Sequence, residues 1–559
     1  MKFPLFNARG EFRLIFLYIP AVLVYGILAN LYTPILEVVW DMVFYKSLAF
    51  GLHHPSTFHL KNHFPMPPLY PLILSFGCFA PTYLWIEVVQ SWINPLLYFL
   101  GIYPLYRLSR TWLDPRRSTL ACVLYTLYPS AIYTQWTMSE NLAAPLVLWV
   151  AALSTQILTD KHSSTVTGAW LGVAAAALAL TRIQVIVIGA AALVWLAYRT
   201  LKRRRDPAPI LMAISLSLTL VITVWWQMGY LTHPYSSPVY AHFNQQNHAS
   251  PVRLLITLFS AHWTGLWLEG GVWITSLFLV QYLVSLIRPS WLTPAQKETF
   301  RMLFFLGVTL IGSVAVYYIR RTGYEDWSIS LRYVFYLNLL AMPVSLSTLG
   351  IWKESNLTRR LVYLILTVFS ASLFAAGFLL PDVWMGFAKV RDFFTNAPSM
   401  DFMEQIIQEG PWRTGVFFLG LSIGAGICAF TNRYLGAAVL FGLLTYVQLT
   451  TIDFTLEIRQ RAIRDLWMNE IHDFCEQLDK GKWTDIPIYC EEDTPHLVPN
   501  LKYWVNRNSA LLPPGSPQPR EEHLLLTVKR HDDGVLVFRS GELRAYLFPV
   551  AGEILSESK

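Results

Sequence analysis

The chain has 559 residues, of which 54% are hydrophobic, 15% aromatic and 14% charged, against roughly 45–50% apolar and about 25% charged in soluble proteins. This excludes an ordinary soluble enzyme, because the apolar residues recur in blocks of about 20, the length that crosses a bilayer. The net charge of +7 does not indicate nucleic acid, since Lys and Arg are spread over short connectors and form no stripe with interleaved aromatics.

Cysteines give little. Cys78, Cys122 and Cys428 sit in apolar runs and Cys475 and Cys490 near the C-terminus, which is no disulfide framework. A Cys475–Cys490 bridge would require an extracytoplasmic tail; the alternative is two core thiols.

Along the chain, the first apolar block, Leu14 to about Leu36, is too long for a removable signal and lacks a small-residue cleavage site, so it reads as a retained span. Further spans fall at about 68–108, 118–136, 140–158, 167–181, 183–199, 208–228, 270–287, 301–319, 333–350, 361–380, 413–430 and 435–452. The 68–108 block is one crossing with a preceding re-entrant or interfacial piece, or a tight pair, and the total is about 13 crossings. Between the first two blocks, Val38 to Phe50 is too short to span and amphipathic enough to lie along the membrane surface.

The short connectors 201–206, 288–301, 352–360 and 431–433 are basic, as is the start with Lys2, Arg9 and Arg13. All fall on one side if 68–108 crosses once, which makes that side cytoplasmic, with the N-terminus inside and the tail outside. The opposite connectors, about 37–67, 229–269, 320–332 and 381–412, are mostly longer and rich in Trp, Tyr, His, Pro, Asn and Gln, and function is expected there. Asn356-Leu-Thr358 is a glycosylation sequon by pattern only, since it lies on the cytoplasmic side.

After about residue 453 the composition turns polar, with a helix-like Leu456 to Leu478 and strand-like runs at 486–489, 524–528, 535–538 and 543–550. His531-Asp-Asp-Gly-Val535 supplies a hairpin turn. No repeat of fixed period is present. The predicted fold class is mainly α: a polytopic transmembrane helix bundle over 1–452 with a large first external loop, followed by a small external α/β domain over 453–559.

Asp41 stands in an otherwise apolar, aromatic segment, where an acid at the membrane surface is costly without a role or a partner. It could serve as a general base for an attacking hydroxyl near the bilayer edge; the alternative is a solvated acid on an interfacial helix. Arg182 lies between two apolar runs and must face water, a partner or a phosphate, while Glu140 is either a site acid or a capping acid at a helix start. Arg320, Arg321 and Arg332 bracket one external connector; a guanidinium fork suits a phosphate, whereas interfacial anchoring is the competing role, above all for the first two. The cluster His242, Asn244, Gln245, Gln246, Asn247 and His248, followed by Trp263, Trp267 and Trp273, suits sugar binding, although Trp is also the belt residue of membrane interfaces. His242 and His248 find no third and fourth ligand at useful spacing, so no metal is expected.

Asp41-Met-Val-Phe-Tyr45 with Ala49, then Pro67-Pro-Leu-Tyr-Pro-Leu-Ile-Leu74, Ser139-Glu140-Asn141, Thr181-Arg182-Ile-Gln184 and Arg332-Tyr333 occur in an order that resembles the glycosyltransferase C superfamily. Similar members are the protein O-mannosyltransferases and the lipid A aminoarabinose transferases, in which a long first external loop carries an acidic motif followed by Tyr and a Pro-Pro-Leu element. The resemblance implies transfer of a sugar from a polyprenyl-phosphate donor to a lipid, glycan or protein acceptor on the external face, with Asp41 as catalytic base. It implies donor-binding positions at Tyr45, Lys61, His63, Tyr70, Glu140, Arg182, Arg332 and Tyr333, with the cavity between the first loop and the late Arg loop. Met42 replaces the common second acid, so a divalent metal is not indicated, and Met66 stands where a His or Lys often precedes the Pro-Pro pair, leaving the phosphate to bases such as Lys61, His59 and His63. The rival classes are a carrier or flippase of lipid-linked sugar and a non-catalytic envelope assembly protein.

The topology has a direct check. A compartment-sensitive reporter after Lys559 or near Asn244 is expected to read external, and one within 201–206 cytoplasmic; an external reading at 201–206 inverts the assignment.

Overall fold

The computed structural model describes residues 12–31, 40–53, 67–80, 83–160, 164–204, 206–227, 274–321, 334–379 and 410–465. Beyond these it describes 486–491, 509–511, 522–527, 529–531, 534–540 and 543–548, and the single positions 266, 473, 474, 477 and 483.

The helices in chain order are α1 (Ile15–Asn30), α2 (Trp40–His53), α3 (Leu69–Leu74), α4 (Tyr83–Phe99), α5 (Ile102–Ser109), α6 (Pro115–Thr126), α7 (Glu140–Thr159) and α8 (Thr165–Thr181). They continue as α9 (Ile186–Arg203), α10 (Ala208–Gln227), α11 (Ile274–Ile287), α12 (Pro294–Arg321), α13 (Tyr336–Leu346), α14 (Leu357–Ala376), α15 (Pro411–Thr431) and α16 (Arg433–Asp465). Two compact units are formed, one of Met1–Val24, Pro95–Thr134 and Ser139–Phe454, the other of Tyr25–Asn94, Gln135–Met138 and Thr455–Lys559.

Five stretches among the described residues are long and apolar enough to cross a membrane: Glu140–Thr159, Ile183–Arg203, Ala208–Trp226, Leu357–Ala376 and Pro411–Thr431. They are used differently. In α7 72% of the apolar window is buried, so it is a central helix; in α10 only 22% is, and Leu211, Leu218, Ile222 and Trp226 are exposed as a face for lipid.

Helix ends follow local chemistry. The Asp114 carboxylate accepts from the backbone N–H groups of Arg116 (2.9 Å) and Arg117 (3.0 Å), with Pro115 as the first helical residue of α6. Asn356, the sequon asparagine, accepts from the Arg359 N–H at 3.0 Å and so caps α14. Between α11 and α13, Asn338 donates to the Tyr128 hydroxyl (2.7 Å) and to the Leu266 carbonyl (2.8 Å), and the Thr275 hydroxyl donates to its Oδ1 (2.7 Å). Such fully connected polar contacts are what a buried amide needs in a helix bundle.

The closest helix approach is made by small residues. On α8, Gly168 and Gly172 form a G-x-x-x-G face against α10: a Cβ at Gly168 would collide with the Pro209 carbonyl, and one at Gly172 would lie 2.7 Å from the Ala213 carbonyl oxygen.

Near the C-terminus, strands β1 (Ile488–Cys490), β2 (Ser509–Leu511), β3 (His523–Thr527), β4 (Val535–Ser540) and β5 (Leu543–Phe548) form a mixed sheet of order β2-β1-β3-β5-β4. β1 runs parallel to β2 and β3, while β5 is antiparallel to β3 and β4.

Four sequence expectations change. The 118–136 block is not one helix: α6 stops at Thr126 and Pro129–Gln135 is a buried 3-10 turn, because Pro129 lacks the N–H that would continue the ladder and biases Tyr128 away from α. The 68–108 block is broken into α3, a 3-10 turn (Ser75–Phe79), α4 and α5. The final span does not end near 452 before a separate helix: α16 runs unbroken to Asp465. Finally, 531–535 does not join a hairpin, since β5 lies between β3 and β4; the strand paired antiparallel to β4 is β5, with Ser540 opposite Leu543. Cys490 is buried in β1, and Cys475 lies outside the described residues.

Gly172→Ala is expected to lower thermal stability despite the gain of about 1 kcal/mol in helix propensity, because the added methyl meets backbone that must move. Gly424→Ala, where a Cβ meets nothing within 4 Å, is expected to be neutral or stabilising. Unfolding of the two purified variants in one detergent compares them directly; equal shifts would mean that α8 and α10 are not in this contact.

Candidate functional site

Asp41 is the second residue of α2, one turn before Tyr45 on the same strip of the helix. Tyr45 is buried and meets Tyr70 of α3 edge-on, with ring centroids 5.2 Å apart. Ala49, one turn further along α2, is fully buried. The Tyr70 hydroxyl donates to Asn94 Oδ1 of α4 at 2.7 Å, and Asn94 Nδ2 donates to the Trp136 carbonyl at 3.0 Å. The Pro-Pro-Leu-Tyr element therefore places Tyr70 where it joins α2 to α4.

Beside Tyr45, Lys46 points into the packing and its Nζ lies 2.5 Å from Glu87 Oε2 of α4; the two side chains are 1% and 2% exposed. Glu87, Gln90 and Asn94 recur at three and four residues, one buried polar face of α4, and Gln90 donates to the Leu74 carbonyl at 3.2 Å. Sequence reasoning missed this pair. Its signal was a lysine inside the apolar run 40–53 and an acid with two amides inside 83–99, ionisable groups that an apolar surrounding tolerates only with partners.

In the other unit, Arg182 ends α8 in extended conformation and its guanidinium reaches Glu140 Oε2 at 2.5 Å and the Ser139 hydroxyl at 3.0 Å. Glu140 is the first residue of α7 and fully buried; Arg182 is 3% exposed. Asn141 donates to the Tyr133 carbonyl at 2.9 Å. Two candidates separated by the whole of α7 and α8 thus form one ion pair, and the open choice for Arg182 among water, partner and phosphate resolves to a partner in this state. A guanidinium held by a carboxylate and a hydroxyl is a rigidly placed positive centre.

Lys61, His63, Arg332 and Tyr333 lie outside the described residues, as do His59, the 242–248 cluster and the side chain of Asp41, and with them the cavity expected between the first loop and the late Arg loop. Among the described residues no group of three or more His, Cys, Asp or Glu is placed to hold a metal ion.

The overall fold is similar to that of known structures. The crystal structure of ArnT from Cupriavidus metallidurans in the apo state superposes over 96% of this chain and 98% of its own, with TM-score 0.50 at 12% identity. The same protein bound to undecaprenyl phosphate superposes over 97% and 98%, with TM-score 0.51 at 13% identity. An Archaeoglobus fulgidus oligosaccharyltransferase aligns with 89% of this chain and 64% of its own at 12% identity, and its TM-score of 0.38 is too low to speak to the fold. No family model and no curated protein sequence matches the chain.

The chain is a multi-pass membrane protein with the fold of the ArnT structures. Within that fold its architecture is similar to that of ArnT along almost the whole of both chains.

The Lys46–Glu87 pair makes a sharp energetic test. Removing one partner of a buried pair typically costs about 3–5 kcal/mol, whereas replacing both by apolar residues is often neutral. Lys46→Met and Glu87→Leu are each expected to lower the unfolding temperature strongly, and the double variant to recover most of the loss. Additive losses in the double-mutant cycle would mean that the two charges do not depend on one another.

Proposed function

We propose that this protein is a membrane glycosyltransferase that moves a sugar from a polyprenyl-phosphate donor to a lipid, glycan or protein acceptor on the external face of the membrane, with Asp41 as general base. The observation that carries the reading is the ArnT-like fold over almost the full chain, one of the two superposed structures being bound to undecaprenyl phosphate. The order of Asp41, Tyr45, Tyr70, Glu140 and Arg182 along the sequence agrees with it.

In the proposed reaction the acceptor hydroxyl oxygen forms a bond to the sugar anomeric carbon as the anomeric carbon–oxygen bond to phosphate breaks. The bonding pair leaves with the polyprenyl phosphate, the hydroxyl proton passes to Asp41, and displacement from the opposite face inverts the anomeric centre. The base must sit within about 2.6–3.2 Å of the proton donor, so the backbone that carries it has to be fixed. The described packing supports such a frame: α2 is held through Tyr45 on Tyr70 and Lys46 on Glu87, and α3 through Tyr70 on Asn94.

Positive charge at the departing phosphate would come from Lys61, His63 and Arg332, with Tyr333 beside it, and Arg182, held by Glu140, is a further donor-binding position in this reading. The sugar and the acceptor are recognised by groups of the external connectors in this reading, which requires no metal or other cofactor.

Asp41→Asn is expected to lower sugar transfer from a radiolabelled polyprenyl-phosphate donor by about 10²–10⁴-fold while expression and donor binding persist. Asp41→Glu keeps the charge but displaces the carboxylate by a methylene and is expected to lose much of the rate as well, because reacting atoms must lie about 3–3.5 Å apart. Transfer by the asparagine variant within about threefold of wild type would reduce Asp41 to an interfacial acid, short of the 10²-fold floor. Wild-type protein that moves the lipid-linked sugar across a vesicle membrane without transferring it would instead make the chain a carrier.

A further inference from the structure

At the end of the bundle that carries the basic connectors, Glu298 of α12 is buried and a single carboxylate oxygen meets three guanidinium groups: Arg199 at 2.6 Å and Arg203 at 2.7 Å from α9, and Arg301 at 3.3 Å from its own helix. Lys297, one residue before Glu298, has no acid in ion-pair distance among the described residues. Three guanidiniums thus share one carboxylate oxygen, with Lys297 next to Glu298 along the helix.

A cavity of about 310 Å³ opens beside it between α9, α11 and α12, with Lys297 and Arg301 at one end. Its walls are aromatic: Trp195 of α9, Tyr282 of α11, and Phe304 and Phe305 of α12. The walls are set by their own packing, with Tyr282 stacked on Phe304 at 3.9 Å and Trp195 against Phe305 at 5.3 Å. Lys297, Arg301, Phe304, Phe305 and Val308 recur at three and four residues, so one strip of α12 changes from basic to apolar along its length. Val308, at the apolar end, is 46% exposed, whereas Leu303, Leu306, Leu310 and Ile311 of the same helix are buried.

We propose that this cleft is a binding site for an anionic phospholipid of the leaflet on the basic side, its phosphate between Lys297 and Arg301 and one acyl chain along Phe304, Phe305 and Val308. A phosphate accepts from an ammonium and a guanidinium in charge-assisted bonds, and basic pockets between helices at the cytoplasmic surface suit acidic headgroups. The headgroup supplies an anion to Lys297 and Arg301, which line the cleft, and the acyl chain covers an apolar strip that a soluble anion would leave bare. The ligand is therefore amphipathic and oriented along α12, head toward Pro294. This site is independent of the proposed transfer reaction, whose residues lie on other elements.

Full-length protein reconstituted in mixed phosphatidylglycerol and phosphatidylcholine nanodiscs, then released for native mass spectrometry, tests the assignment. Wild type is expected to retain phosphatidylglycerol in preference to phosphatidylcholine, and the K297Q/R301Q double variant to lose at least about tenfold of that preference, the effect of removing charge-assisted bonds. K297R, which keeps the charge, is expected to retain it, and V308W, which fills the apolar end without touching the charges, to weaken it. Equal retention of both lipids by wild type, or unchanged retention by the double variant, overturns the site. Displacement of the lipid by excess inorganic phosphate would show a free-anion site, and displacement by substoichiometric undecaprenyl phosphate a site for the polyprenyl carrier; either overturns the phospholipid assignment.

Discussion

An ionised side chain inside an apolar helix bundle must meet its counter-charge there, because no water is at hand to solvate it. Among the described residues, three buried or nearly buried pairs satisfy this requirement and, in doing so, tie together separate helices. Lys46–Glu87 joins α2 to α4, Glu140–Arg182 joins the start of α7 to the end of α8, and Arg199–Glu298 joins α9 to α12. Each is strongly conditional: intact, such a pair contributes modestly, but a single lost partner leaves a bare charge worth about 3–5 kcal/mol of destabilisation. Helix registry is thereby specified by a few contacts, with the apolar face supplying the bulk of the packing.

Van der Waals contact does the rest, and it favours small residues because lipid competes with any aliphatic side chain for the same surface. The Gly168 and Gly172 face of α8 brings backbone to backbone at α10, while α10 turns its Leu, Ile and Trp residues outward. An outward-facing α10 and a buried α7 are therefore consequences of one arrangement. The same logic explains the central polar residues: Asn338 can be buried because Tyr128, Thr275 and the Leu266 carbonyl satisfy both ends of its amide.

Much of the bundle was legible from apolar block length alone, since a bilayer imposes one length on every crossing. Helix starts at 140, 208 and 411 fall within a few residues of the block edges. What periodicity could not show were breaks made by single residues, as at Pro129, and continuations across a change in composition, as where α16 passes from apolar to charged sequence without losing its hydrogen bonds. Strand runs were visible at four of five positions, but β2, Ser509–Leu511, is too short to alternate, and the order β3-β5-β4 depends on contacts that no local turn signal encodes. At the candidate site, the motif residues Glu140 and Arg182 were recognisable one at a time, yet their pairing was not, because nothing in either segment reports the other. Lys46 gives no local sign of its partner either, because Glu87 lies 41 residues further along the chain.

The charges of this molecule separate into two kinds once their partners are known. Those paired within the bundle, such as Lys46 with Glu87, hold helices together. The cluster around Glu298 instead gathers three guanidiniums on one carboxylate oxygen, beside a cleft that Lys297 and Arg301 line. Positive charge at the basic end of α9 and α12, satisfied by acidic headgroups, fixes these helices without introducing another buried carboxylate, whose desolvation would have to be offset by yet another base. Lipid thus completes the electrostatics at the end where the chain leaves them incomplete, and internal pairs complete them where lipid headgroups cannot reach.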